Sequence, residues 1–106
     1  MKLWHTTVAV MLISASLIAY AQSPTQRGAT VFNESGCIHC HAIRGAGGSK
    51  GPDLSSVGRS LKKDAMRKQI LDGGPQMPPF NGILNDQELT NLLAYLHSCK
   101  DKKKGN

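Results

Sequence analysis

The segment Cys37-Ile38-His39-Cys40-His41 is the point from which the rest of the chain is read. Two thiols separated by two residues, with a histidine directly after the second, suit few chemistries. A redox dithiol needs a strand-to-helix setting, and no strand pattern is found in this sequence. Half of a zinc site would draw on His97 and Cys99, which lack a second C-x-x-C or H-x-x-H knuckle. An ordinary structural disulfide fits an exported chain equally well. The adjacent His41 and an export signal together favour a fourth reading, covalent haem attachment. Each thiol adds across one vinyl group, and the following histidine is held beneath the iron.

The export signal lies at the N-terminus. Lys2 supplies a short positive region, residues 8–19 are apolar apart from Ser14 and Ser16, and Ala19-Tyr20-Ala21 places small residues where a signal peptidase reads. Cleavage is expected after Ala21. The alternative, a retained anchor, meets the difficulty that the apolar run is shorter than the roughly 20 residues a membrane helix needs. No Cys follows the site, which argues against a lipid anchor. Residues 1–21 are therefore read as a cleaved signal peptide, 22–100 as one domain, and 101–106 as a charged flexible tail. The destination is the periplasm, without stable membrane insertion after cleavage.

With 106 residues, a net charge of +6 and a pI near 9.5, the chain allows one small basic domain. An exported chain without an aromatic-interleaved basic stripe is not expected to bind nucleic acid. The charge is read as a docking surface for acidic proteins, or as a solvated face.

Three helices are expected. The first covers residues 25–35, with Val31 and Phe32 inward and Gly28 marking a close crossing by another helix. The second covers 61–71, with Leu61, Ala65, Met66 and Ile70 on one face and Lys62, Lys63, Arg67 and Lys68 outside. The third starts at Asn85, an N-cap with Glu88 in the capping-box position, and carries Leu89, Leu92, Leu93, Leu96 and Cys99 at helical spacing. Between the first two, residues 44–58 hold too many Gly and Pro for a helix or a central strand. A chain this small needs a staple besides its apolar core, and haem would be one.

The second axial ligand of the iron must come from Met or His, or be absent. His39 lies inside the attachment loop, and His97 falls off the leucine stripe, where a solvated role is expected. Met66 has helical company and reads as core. Met77 stands in Gly73-Gly74-Pro75-Gln76-Met77-Pro78-Pro79-Phe80, where no helical or strand period explains an apolar side chain. The prolines stiffen its loop and limit how far the thioether can swing. Met77 is the expected distal ligand, with His41 the proximal one.

Taken in order, these residues resemble the class I cytochromes c, in particular the small bacterial monohaem type. The resemblance covers residues 28–100. Gly28 and Phe32 stand where that family has its N-terminal helix, with Cys37, Cys40 and His41 as the attachment site. Gly51-Pro52-Asp53-Leu54 is similar to the segment whose proline carbonyl accepts the hydrogen bond of the proximal histidine, which implies haem-side roles for Pro52 and Leu54. Met77-Pro78 matches the distal loop. Leu84 to Leu96 is similar to the C-terminal helix, with Tyr95 expected to cross near Gly28 and Phe32.

The resemblance implies an all-α fold, three to four helices wrapped around one covalently bound haem c. It implies a monomeric one-electron carrier, not an enzyme, working between redox partners such as a terminal oxidase, a reductase or a dehydrogenase. Lys50, Lys62, Lys63, Arg67 and Lys68 are candidates to steer it towards an acidic partner. Cys99 departs from the pattern as a third thiol, either buried and inert or linked to another chain. Arg59 is the candidate to pair with a haem propionate, or else an exposed arginine. Two rivals stand beside the carrier: a haem protein in which Met77 dissociates to admit small ligands or peroxide, and a subunit of a larger redox complex.

Overall fold

The computed structural model describes residues 21–103. The expected signal peptide lies outside these residues except for Ala21, after which cleavage is expected. Within them, no helix is long and apolar enough to cross a membrane.

Helix α1 (Pro24–Glu34) begins with a complete capping box. The Gln26 N–H donates to Ser23 Oγ (3.2 Å), the Ser23 N–H donates to Gln26 Oε1 (2.9 Å), and Pro24 takes the first turn, where no amide donor is missed. The helix stops at Ser35, and Gly36 turns the chain with φ 84° into the attachment segment. Helix α4 (Asp86–Ser98) starts in the same way. The Glu88 N–H donates to Asn85 Oδ1 (2.8 Å) and the Asn85 N–H donates to Glu88 Oε1 (3.1 Å). Removing that cap by Asn85→Ala should lower unfolding free energy by about 1 kcal/mol, read as a shift in denaturant midpoint at constant slope.

The two capped helices cross, and the crossing is the centre of the fold. Gly28 and Phe32 are the buried residues of α1; Leu89, Leu92, Leu93 and Leu96 are the buried apolar stripe of α4. Phe32 meets Tyr95 edge to face, with ring centroids 5.9 Å apart at 65°. Gly28 faces the backbone of α4 with no room for a side chain. A Cβ there would strike the Asn91 carbonyl oxygen and lie 2.6 Å from Tyr95 Cβ.

The other elements depart from expectation in three places. A two-stranded antiparallel hairpin, β1 (Ala42–Ile43) and β2 (Ala46–Gly47), follows the attachment segment, where no strand was expected. Its turn, Arg44-Gly45, has positive φ at both residues (51° and 82°), the twist a two-residue hairpin loop requires. A short helix α2 (Val57–Ser60) occupies the end of the stretch expected to be irregular. Its Gly58 N–H donates to the Cys99 carbonyl (2.8 Å), which docks α2 on the end of α4.

Helix α3 (Lys63–Asp72) is shifted two residues towards the C-terminus at its start, because Leu61 and Lys62 remain extended. Its buried face is narrower than the periodicity implies. Met66 and Ile70 are buried, Ala65 is exposed, and Leu61 is 42% exposed. The loop from α3 to α4 returns over the end of α3, with the Phe80 N–H on Ile70 O (3.0 Å) and the Asn81 N–H on Leu71 O (3.3 Å). Cys99 caps α4 and is fully buried, its Sγ donating to the Tyr95 carbonyl at 3.4 Å. The charged tail expected to be loose from residue 101 onwards is tied down at its first residue. The Asp101 N–H donates to Ser55 O (3.1 Å), and its carboxylate holds Arg44.

Candidate haem-binding site

Cys37, Cys40 and His41 are brought together by one turn of backbone. A 3-10 turn (Cys37–His39) starts at Gly36, and both the Cys40 and His41 N–H groups donate to Cys37 O, at 3.2 and 2.9 Å. Residues i, i+3 and i+4 of such a turn share a side. Here that side lines a cavity of about 1000 Å³, at the upper end of the roughly 300–1000 Å³ typical of small-molecule sites. Met77, Pro52 and Leu54 line the same cavity. A smaller apolar space of about 80 Å³ is lined by His41 and Met77 again, with Met66, Ile70 and Leu96.

His41 is oriented from behind. Its Nδ1 lies 2.7 Å from the Pro52 carbonyl, and because a carbonyl only accepts, Nδ1 must carry the proton. The neutral ring then keeps its lone pair on Nε2, the nitrogen left to bind a metal. Pro52 is held in turn by the Gly51 N–H on Cys40 O (2.7 Å) and the Leu54 N–H on Ala42 O (2.9 Å). Gly51 itself lies flat against the imidazole. A Cβ at that position would come within 2.7 Å of His41 Cε1 and 2.9 Å of Nδ1, so only glycine leaves the ring its place. The Ser55 N–H donates to Asp53 Oδ1 (2.8 Å), and the Ser55 hydrogen bonds hold the Asp53 carboxyl below its usual range.

Met77 is presented by a loop closed on itself, with the Gly74 N–H on Met77 O (2.8 Å) and the Gly73 N–H on Gln69 O (2.9 Å). Gln69, for which the sequence carries no signal, lies at the thioether. Its Nε2 donates to Gly73 O at 3.0 Å and lies 4.0 Å from Met77 Sδ. Only the return of the loop over α3 brings these two residues, eight apart in sequence, into contact.

Arg59, the candidate for a propionate, is not brought to the cavity. Its Nε donates to Lys100 O at 2.5 Å, an interaction set by the docking of α2 on the end of α4. The cations that do line the cavity are Lys50 and Lys103. Cys99 does not line it, and burial pushes its thiol pKa up, as it does for Cys37.

The chain's residues fit a haem on three counts: two unpaired thiols beside one imidazole, a ring locked in the metal-binding tautomer, and a large, mainly apolar cavity between them and a thioether. A mostly helical fold that carries such a site on the segments between its helices defines a c-type cytochrome. The chain belongs to the family described as cytochrome c oxidase, cbb3-type, subunit III, whose profile matches residues 23–96.

Its relatives agree. It is 39% identical over 77 residues to the menaquinol:cytochrome c reductase cytochrome c subunit of Bacillus subtilis, covering 71% of this chain and 29% of that protein. It is 28% identical over 103 residues to cytochrome c-555 of Methylococcus capsulatus, covering 92% of this chain and 84% of that one. Cytochrome c oxidase subunit 2 of Alkalihalophilus pseudofirmus is 29% identical over 99 residues, 77% of this chain and 29% of that protein. The chain thus spans less than a third of two of these relatives. No solved structure gave a significant match. The family carries covalently bound haem c with iron, and this chain holds the two thiols and the imidazole that such attachment uses.

Proposed function

We propose that this chain is an exported, periplasmic monohaem cytochrome that carries single electrons between redox partners. In this reading Cys37 and Cys40 would hold the haem, while His41 and Met77 would ligate its iron. The observation that carries it is the pairing of a His41 ring, whose Nδ1 is committed to the Pro52 carbonyl, with Met77 on the same cavity wall system. The bound haem supplies a one-electron ferric–ferrous couple. The protein's part is to keep that iron closed. Pro52 holds the imidazole in one tautomer, the loop around Met77 limits the reach of its sulfur, and the apolar side chains of Leu54, Met66, Ile70 and Leu96 line the space shared by His41 and Met77.

Partner encounter is assigned to the basic residues at the start of α3 and to Lys50 on the cavity wall. Lys50, Lys62, Lys63 and Arg67 are exposed, and Leu61 stands exposed beside them on the cavity wall. Lys68 contributes less, because its Nζ pairs with Asp72 Oδ2 at 2.8 Å. Electron transfer to an acidic oxidase or reductase domain should slow about tenfold or more as salt shortens the screening length from about 30 Å to about 3 Å. A stopped-flow series against ionic strength measures this, and a flat response removes the steering role.

A second reading has specific support: work as the cytochrome subunit of a larger complex. Two of the relatives above are named as subunits of a menaquinol:cytochrome c reductase and of a cytochrome c oxidase. Copurification of the native protein with membrane partners favours this reading. A monomer on gel filtration favours the free carrier.

A further inference from the structure

The residues beyond α4 reach back to the segment that orients His41. Three successive carbonyls are engaged sideways. Cys99 O accepts from the Gly58 N–H (2.8 Å), Lys100 O from Arg59 Nε (2.5 Å), and Asp101 O from Ser56 Oγ (2.6 Å). The Asp101 N–H then donates to Ser55 O (3.1 Å). Its carboxylate takes Arg44 in a fork, with Nε to Oδ2 at 3.0 Å and Nη2 to Oδ1 at 3.1 Å. Arg44 sits at the hairpin turn in the left-handed region, and its own N–H donates to Ser55 Oγ (2.7 Å).

Ser55 is therefore gripped from two sides, by the strap at its carbonyl and by the hairpin at its hydroxyl. Between Ser55 and His41 the chain has little freedom. The Ser55 N–H is bound to Asp53, the Leu54 N–H to Ala42 O, and the proline ring fixes φ at residue 52. A displacement at Ser55 is passed to the Pro52 carbonyl because the short link offers no loose residue to absorb it.

We propose that Asp101, through its fork with Arg44, is a positioning residue for the proximal ligand. By holding Ser55 it sets the length and alignment of the Nδ1–H···O=C bond from His41 to Pro52. This rests on His41 being the iron ligand. A strong bond there gives the imidazole more anionic character and favours ferric iron; loosening the strap weakens the bond and raises the reduction potential. The pair is exposed on both sides, with side-chain exposures of 55% and 40%, so its loss leaves global stability almost unchanged.

The test uses the haem-loaded protein and three variants: Asp101→Asn, Arg44→Gln and Arg44→Lys. The readouts are midpoint potential and the solvent-exchange rate of the His41 Nδ1 proton in the ferrous NMR spectrum. Positioning predicts a rise in potential in all three, with proton exchange faster by about three- to tenfold. A purely electrostatic effect predicts opposite signs, because Asp101→Asn removes a negative charge and Arg44→Gln a positive one. Arg44→Lys keeps the charge and loses only the fork, so it carries the test if either other variant folds poorly. Opposite-signed shifts, or an unchanged exchange rate, overturn the proposal. A wild-type spectrum with no haem-shifted His41 imidazole proton defeats the ligand assignment itself, and the proposal with it.

Discussion

Gly28→Ala is expected to destabilise the folded chain by about 3 kcal/mol, although alanine ordinarily favours a helix interior by about 1 kcal/mol over glycine. The sign reverses because of what the added methyl meets. It would strike the Asn91 carbonyl oxygen and lie 2.6 Å from Tyr95 Cβ. Neither is the free end of a flexible side chain, so α1 and α4 must move apart as bodies. Separation loosens the edge-to-face contact of Phe32 and Tyr95 and opens the layer containing Phe32 (2% exposed) and Leu92 (1% exposed). Inserting a methyl group into a packed core costs about 1–3 kcal/mol when side chains can yield, and here they cannot. Denaturant unfolding of the haem-loaded variant measures the loss. A change under about 1 kcal/mol would mean that the crossing is looser than its geometry states.

The second large effect is expected at Met77. Met77→Ala should abolish the far-red sulfur-to-iron band of the ferric protein, lower the reduction potential, and open the iron to added imidazole or azide. The loop should survive, because the bonds that close it, Gly74 N–H to Met77 O and Phe80 N–H to Ile70 O, are backbone bonds. The change is therefore chemical and local. Ferric absorption spectra, redox titration and far-UV circular dichroism separate these effects. If the band persists in the variant, another sulfur ligates the iron. Met66 is then the one to examine, since it lines the smaller space shared by His41 and Met77. Met66→Leu in the wild-type background should leave the band intact.

Both expectations rest on residues that the sequence already singles out, and the reason is local chemistry. The C-x-x-C-H spacing, the Asn85–Glu88 cap and the leucine spacing of α4 each act within a few residues, so pattern is enough to read them. The Ser23–Gln26 box of α1 is equally local and explains why that helix begins one residue earlier than expected. Short elements were harder to read. Strands of two residues cannot show a period, and Arg44-Gly45 lacks the Asn-Gly or Asp-Gly signature of a tight hairpin. The glycine content that argued against a helix around residue 58 reflects instead the docking of α2 on the end of α4. On α3, helical spacing marks more residues as inward than the fold buries, because Leu61 remains extended beside the cavity.

The sequence by itself determined that two cysteines and a histidine would share one turn, that a capped amphipathic last helix would pack against the first at Gly28, and that Met77 stands in a stiff loop. These follow from covalent spacing, capping and periodicity, all short-range. The tertiary structure decided which polar side chains meet which partners. Arg59 pairs with Lys100 O across 41 residues, Arg44 with Asp101 across 57, and Gln69 reaches the Met77 thioether. A side chain's polarity is written in its chemistry, but its partner depends on where distant segments come to rest. That is settled only when α1 and α4 cross and the chain beyond α4 folds back on the hairpin.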